Sequence, residues 1–192
     1  MTTEENILHH ASAIFYRKGL AGARMQEIAD QAGINKAMLH YYFKTKEQLF
    51  EKIFGQAFEV FAGKIVEILS GDLNLEDMIT AYVNHTMDSL TENPGIAVFV
   101  INELSYNPAR ITQLFSGKQK INLGNFNELV EKKTQGKTDA EALFIDMVAL
   151  CVYPFVMAEV FTKLLHKTDQ QYKDLLQSRK AHVINQMLSR LS

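Results

Sequence analysis

Residues 35 to 43 read NKAMLHYYF. On a helical wheel Leu39 and Phe43 set one direction, and the opposite side is centred on Tyr41, flanked by Ala37 and Met38. Lys36 and His40 stand on one shoulder and Tyr42 on the other. These side chains make contacts. An ammonium suits a phosphate, a phenol or imidazole can donate or accept a hydrogen bond, and a thioether can rest on a methyl group. Ala37 is small enough to bring the backbone close to a surface. A face meant only for water is usually rich in Glu and Lys. Met and Tyr there call for a partner, either another part of this chain or something outside it.

The elements that must hold this set announce themselves through helix start signals. Thr2 with Glu5, Thr45 with Gln48, Thr138 with Glu141 and Thr168 with Gln171 have capping-box spacing. Asn35 is a good N-cap, and Ile34 and Leu39 are spaced as a hydrophobic staple around it. Stops stand at Gly19, Gly33, Ser70-Gly71, Asn93-Pro94-Gly95 and Asn107-Pro108. Together they predict helices over 3–18, 24–31, 36–43, 46–69, 75–92, 96–105, 109–134 with a break near Gly117 or Gly124, 139–166 and 169–190. Sustained strand-type alternation is missing, so the chain reads as all-α.

Composition narrows the function. The chain has 192 residues and is 47% hydrophobic, enough for a sizeable core. A single cysteine excludes an internal disulfide framework and fits a reducing compartment. MTTEENILHH has no basic region followed by an apolar core, so no secretory signal is expected. The apolar run 147–158 is bracketed by Asp146 and Glu159, interrupted by Pro154, and shorter than the roughly 20 residues a span needs. It reads as a buried helix, and the expectation is a cytoplasmic protein with no membrane partner. Net charge is −2, which argues against a generic nucleic-acid binder. The charge is uneven, however: residues 17–46 carry six basic against two acidic residues, and from residue 53 onward 13 basic face 16 acidic.

No catalytic constellation emerges. His9 and His10 are adjacent and point in different directions, so they do not form a metal pair. Cys151 lies in an apolar run without a neighbouring His, Lys or Arg, as a structural thiol does. No glycine-rich phosphate loop is present. The reading is not an enzyme, with no catalytic residue, metal or cofactor.

Counting from Met25, buried positions are expected at Ile28, Ala29, Ala32, Ile34, Leu39 and Tyr42, with Gly33 supplying left-handed backbone at the turn. This is the helix-turn-helix pattern, whose second helix enters the DNA major groove. The stretch GLAGARMQEIADQAGINKAMLHYYFKTKEQLF, from Gly19 to Phe50, also resembles the N-terminal domain of the tetracycline-repressor (TetR) family of bacterial transcriptional regulators. The resemblance is carried by Gly19, Ile28-Ala29, Ala32-Gly33, Lys36, Leu39, Phe43 and Lys46-Glu47. It implies a DNA-binding domain over 1–46 and a helical-bundle effector-binding and dimerisation domain over 47–192. It further implies a homodimeric repressor on a palindromic double-stranded operator, released by a small molecule. By the same resemblance Arg24 and Gln26 lie near the backbone or a base edge. Asn35, Lys36, Ala37, Met38, His40 and Tyr41 form the recognition surface, and Lys46 reaches a phosphate. Ala23, Met38 and His40 depart from the usual residues of the family, so no operator sequence transfers.

The body offers soft apolar residues with a few polar handles. Met78, Tyr82, His85, Phe99, Asn102, Phe126, Met147, Cys151 and Tyr153 are candidates for a lipophilic or aromatic effector, as small-molecule sites are built. Each of them is also an ordinary core residue. The helix over 139–166, apolar nearly all round, and the last helix are expected to hold a dimer together; on the last helix Tyr172, Leu176, Val183, Met187 and Leu191 recur at helical spacing and are candidates for that interface. Two other functions stay open at this level: a DNA-binding regulator answering to a partner protein, and an enzyme or carrier with an incidental helix-turn-helix.

Overall fold

The computed structural model describes residues 1–114 and 123–191, apart from the side chains of 113 and 114. The described residues are helical and contain no strand. The order is α1 (Thr3–Gly22), α2 (Met25–Gln31), α3 (Lys36–Tyr42), α4 (Lys46–Ser70), α5 (Leu75–Glu92) and α6 (Pro94–Tyr106). Then follow α7 (Ala109–Leu114), α8 (Gly124–Thr134), α9 (Ala140–Val156), α10 (Ala158–Leu164) and α11 (Asp169–Ser189).

Local chemistry explains most of these boundaries. Thr2 and Thr168 form full capping boxes with Glu5 and Gln171. Thr45 accepts from the Gln48 amide, but the Gln48 side chain turns instead to the Lys44 amide, so that cap is half a box. Near 139 the expected box is not formed: Asp139, not Thr138, accepts from the Ala142 amide. A carboxylate at the helix start gains from the dipole that a hydroxyl does not match, and Thr138 Oγ1 donates instead to the Arg190 carbonyl. Gly19 interrupts α1 with φ 63°, a conformation that favours glycine, and the chain turns there before a last short stretch to Gly22.

Two expected helices come apart. The one over 109–134 becomes α7 and α8; Gly124 opens α8, and Gly117 lies outside the described residues. The one over 139–166 becomes α9 and α10, bent by 70°. Pro154 has no N–H to give the Leu150 carbonyl, and the helix ends two residues later with Met157 out of helical geometry. No single helix among the described residues is long and apolar enough to cross a membrane. The bent pair α9–α10 has the length and composition, but Leu143, Met147, Cys151, Val152 and Phe155 of α9 are buried in the core.

Buried residues fall into two clusters that meet along α4. The first joins α1, α2 and α3 to the first half of α4, from Leu49 to Ala62, and to Ile96, Phe99 and Val100 of α6. The second joins Ile65, Ile68 and Leu69 of α4 to α5, α8, α9 and α11. A division at residue 46 therefore falls at the N-terminal end of a continuous 25-residue helix, and the first cluster reaches well beyond it.

Candidate nucleic-acid interface

α3 is seven residues long and is held from one side only. Leu39 is fully buried and Phe43 nearly so. Asn35 caps its start, its side-chain oxygen accepting from the Met38 amide at 2.7 Å. Gly33, at φ 67°, makes the turn from α2, and the Ile34 amide closes it on the Ala29 carbonyl. Asn6 of α1 donates to the Ala32 carbonyl at 2.7 Å and fixes the end of α2. A helix this short is marginal alone; the cap, the turn and the two anchors set its position.

The other side of α3 is open. Tyr41 is 75% exposed and Met38 43%, and Lys36 and Ala37 are exposed as well. His40 is half-buried, with Nδ1 3.3 Å from the Lys44 carbonyl. Tyr42 was expected inside and is exposed; Phe43 takes the inward position one residue later. The Tyr41 and Tyr42 rings meet edge to face at 5.4 Å, and Lys44 Nζ stands 5.9 Å from the Tyr41 ring centre. Lys44 and Tyr42 thus join the face. The sequence signal for Lys44 was its place at the end of α3, where a cation is favourable beside free carbonyls.

Charge separates this face from the rest of the surface. Arg24, Lys36 and Lys44 make no ion pair with any described residue. Behind them Glu27 already holds Lys18, at 2.7 Å, and Arg17. Gln26 spends its amide on Asp30 of its own helix, at 2.8 Å. Lys46 donates to the Ala23 carbonyl at 3.2 Å, so it ties the start of α4 to the chain between α1 and α2. An open row of cations with aromatic and thioether groups between them fits phosphate contacts flanking base-edge contacts.

Comparison with known proteins places the N-terminal part of the chain. Residues 7–53 match the bacterial regulatory proteins of the tetR family. A probable HTH-type transcriptional regulator of Bacillus subtilis, YttP, is 24% identical over 86% of this chain and 83% of its own length. The HTH-type transcriptional repressor NicS of Pseudomonas putida is 42% identical over 48 residues, 25% of this chain and 23% of NicS. The N-terminal part of this chain, residues 7–53, is of the tetR family. The fold of the whole chain agrees with this likeness. The ketosteroid transcriptional regulator KstR2 of Mycobacterium tuberculosis superposes with a TM-score of 0.71 at 16% identity, over 96% of this chain and 94% of that one. The regulator FadR of Bacillus subtilis, solved in complex with stearoyl-CoA, gives 0.64 at 16% identity, over 96% and 97%. The relatives named here are transcriptional regulators rather than enzymes.

The effector candidates do not form one group. Met78, Tyr82, Phe126, Met147 and Cys151 lie together in the body core. Phe99 belongs to the other cluster, where it packs on Tyr16, Phe50 and Phe54 with ring centres 4.8 to 5.6 Å apart. Asn102 is exposed and shares with Phe99 a cleft of about 710 Å³ between α1, α4 and α6. Helix α6 crosses α1 and α4, which turns that side of it away from the body core. Tyr153 is exposed, against Phe161 of α10. His85 is half-buried with its Nε2 shielded and without a hydrogen bond. Burial pushes the Cys151 thiol up to about 12, so it is no nucleophile at neutral pH.

The last-helix stripe needs a correction too. Tyr172, Leu176, Val183, Met187 and Leu191 are each 5% exposed or less and pack into this chain's own core. The Tyr172 hydroxyl donates to the Pro154 carbonyl at 2.9 Å. Their helical spacing marked an inward face. Uncovered apolar groups stand instead on the outer side of α9 and α10, at Ile145, Tyr153, Val160 and Leu164. Beside them a groove of about 330 Å³ is lined by Ala149, Leu150, Tyr153 and the Asp146–Arg190 ion pair.

Proposed function

We propose that this chain is a ligand-responsive repressor that binds a near-palindromic DNA duplex as a homodimer through α3. The observation that carries the reading is the open face of α3, with Lys36 and Lys44 unpaired and Met38 and Tyr41 facing solvent. Arg24 and Asn35 stand at its edges, and Lys46 is close enough behind it to exchange its carbonyl for a phosphate. The names of relatives support repression: NicS and NemR are called transcriptional repressors. Such a protein acts in the cytoplasm, where the DNA is. Selection of bound sequences from random duplex DNA tests the reading. A two-fold symmetric motif is expected, with half-sites about 34–36 Å apart or a multiple of that. A motif without symmetry, or none at low salt, would sink it.

The dimer contact proposed is the outer side of α9 and α10, because large apolar side chains stay uncovered there. The effector seat proposed is the body core around Met78, Tyr82, His85, Phe126, Met147 and Cys151. One structure of similar fold, FadR of Bacillus subtilis, is described in complex with stearoyl-CoA. Methionine suits the task, since its unbranched side chain repacks around varied shapes. The route to the DNA is α4, which starts beside α3 and ends in the body. Arg110 of α7 clamps that route: it binds Glu51 of α4 through two nitrogens and Glu103 of α6 at 2.5 Å, over the rings of Phe50 and Phe54. A hundredfold loss of DNA affinity needs about 2.7 kcal/mol of difference in effector binding between the two states. The tight packing of the core favours one second reading, a regulator that answers to a partner protein. DNA binding that no small molecule weakens would favour it.

A further inference from the structure

One half-buried cation of the body, Arg179, has no anion among the described residues. The Nε of Arg179, on α11, is shielded from solvent and has no hydrogen-bond partner, and its guanidinium makes no ion pair with any described residue. The carboxylate nearest in register, Asp88 of α5, is taken by Lys180. The charge of Arg179 acts on the Cys151 thiol of α9 and on the Tyr172 phenol, drawing both down against the upward push of burial. Cys151 in turn lies close enough to Tyr82 of α5 to raise its phenol further, after burial has raised it most.

Thr86 stands beside Tyr82, one turn on, and is fully buried with no geometrically formed hydrogen bond to its Oγ1. Next to it in the chain, His85 Nε2 is shielded and unpartnered as well. Three helices therefore bring a guanidinium, a thiol, a phenol and a hydroxyl to one region: Tyr82, Cys151 and Tyr172 share one buried cluster, and the Gln177–Thr91 and Lys180–Asp88 pairs on either side of Arg179 set it against this part of α5. Buried polar groups are ordinarily satisfied, and the shielded Arg179 Nε, Thr86 Oγ1 and His85 Nε2 are exceptions. The opposite side of Tyr82 is apolar: Phe144 lies 6.3 Å from its ring and Phe126 5.9 Å beyond that, with Met147 on the same helix.

We propose that the body binds an amphipathic monoanion, a carboxylate on an apolar chain or ring, with the carboxylate on Arg179 and the apolar part toward Tyr82, Phe144 and Met147. The planar guanidinium can take both oxygens of a carboxylate, and the Thr86 hydroxyl and His85 Nε2 are free to complete its shell. An alcohol or amine with the same apolar part leaves Arg179 as it is, or repels it. Because Arg179 stands on α11 while its neighbours stand on α5 and α9, a bound anion joins the last helix to the core. The proposal rests on the reading that the body receives a small effector and adds the sign of its charge.

Calorimetric titration of the whole protein with decanoate and 4-butylbenzoate, and with the matching alcohols, tests it below micellar concentrations. The acids are expected to bind at least tenfold more tightly than the alcohols. Arg179→Met should erase that preference and leave the alcohols within twofold of the parent; Thr86→Val should reduce it about threefold. Should Arg179→Met fail to fold, Arg179→Lys keeps the charge without the fork and is expected to lose part of the preference. Equal binding of acids and alcohols, or undiminished acid binding by Arg179→Met, overturns the proposal and leaves the effector reading standing. If neither acids nor alcohols bind, the proposal falls; a broader thermal-shift screen in which nothing stabilises the protein then takes the effector reading with it.

Discussion

α3 and α11 carry stripes that look alike as strings of letters: Met38 and Tyr41 on one, Tyr172 and Met187 on the other. The first stripe faces solvent and the second is 5% exposed or less. The difference lies in what stands opposite each stripe. α3 is only seven residues long, and its inward places are already filled by Leu39, with Phe43 just beyond its end. On α11 the opposite side carries Asp174, Gln177, Ser178 and Asn185, so the core takes the aromatic and methionine stripe, with Leu175, Ile184 and Leu188 beside it. An apolar stripe signals a partner outside the chain only after the inward face has been accounted for.

The largest expected effect tests the inward stripe. Val183→Asp puts an unpaired carboxylate into a site with no exposure and should cost about 3–5 kcal/mol. That is a large share of an ordinary domain's stability of roughly 5–15 kcal/mol. Urea melts should show a collapsed midpoint or insoluble protein. A stable, soluble monomer would instead return the stripe to the dimer interface. Ile145→Asp, on the outer face of α9 and 65% exposed, sharpens the contrast. There the chain should stay folded with its melting temperature nearly unchanged, and light scattering should find monomers. Retention of the dimer would move the interface elsewhere.

At α3 the effects are expected in binding and not in stability. Tyr41→Ala should weaken operator binding by about 1–3 kcal/mol if the phenol meets a base edge, with an unchanged melt; a gel-shift titration identical to the parent would remove Tyr41 from the interface. Smallest of all, Lys44→Ala should weaken every duplex alike and reduce the slope of log affinity against log salt by about one, as loss of one phosphate contact does. A sequence-selective loss would make Lys44 a base reader instead.

How much could be read beforehand follows the range of the interactions. Asn35, Thr2 and Thr168 cap helices by bonds that span three residues, so spacing alone revealed them. Gly33 could be recognised for the same reason. Thr138 and Asp139 are both good caps one residue apart, and letter patterns do not weigh dipole attraction against a bond to the distant Arg190 carbonyl. The bend after Pro154 was hidden in a run apolar on every side, where no change of face marks a new helix. Phe99 and Asn102 were misplaced because α6 crosses α1 and α4, and a crossing has no local signature. Arg179 escaped notice altogether: an arginine on a polar helix reads as solvated until its neighbours are known.

α4 is also a rod. Its 25 residues make it about 37 Å long at 1.5 Å per residue. Pivoted at the body end, a swing of about 6° carries the Lys46 end through roughly 4 Å, a little more than the 3.4 Å between successive base pairs. A hydrogen bond to a base edge tolerates only a few tenths of an ångström. Leverage of that size means the core need shift by less than the width of a methyl group to put the reading head out of register with its groove.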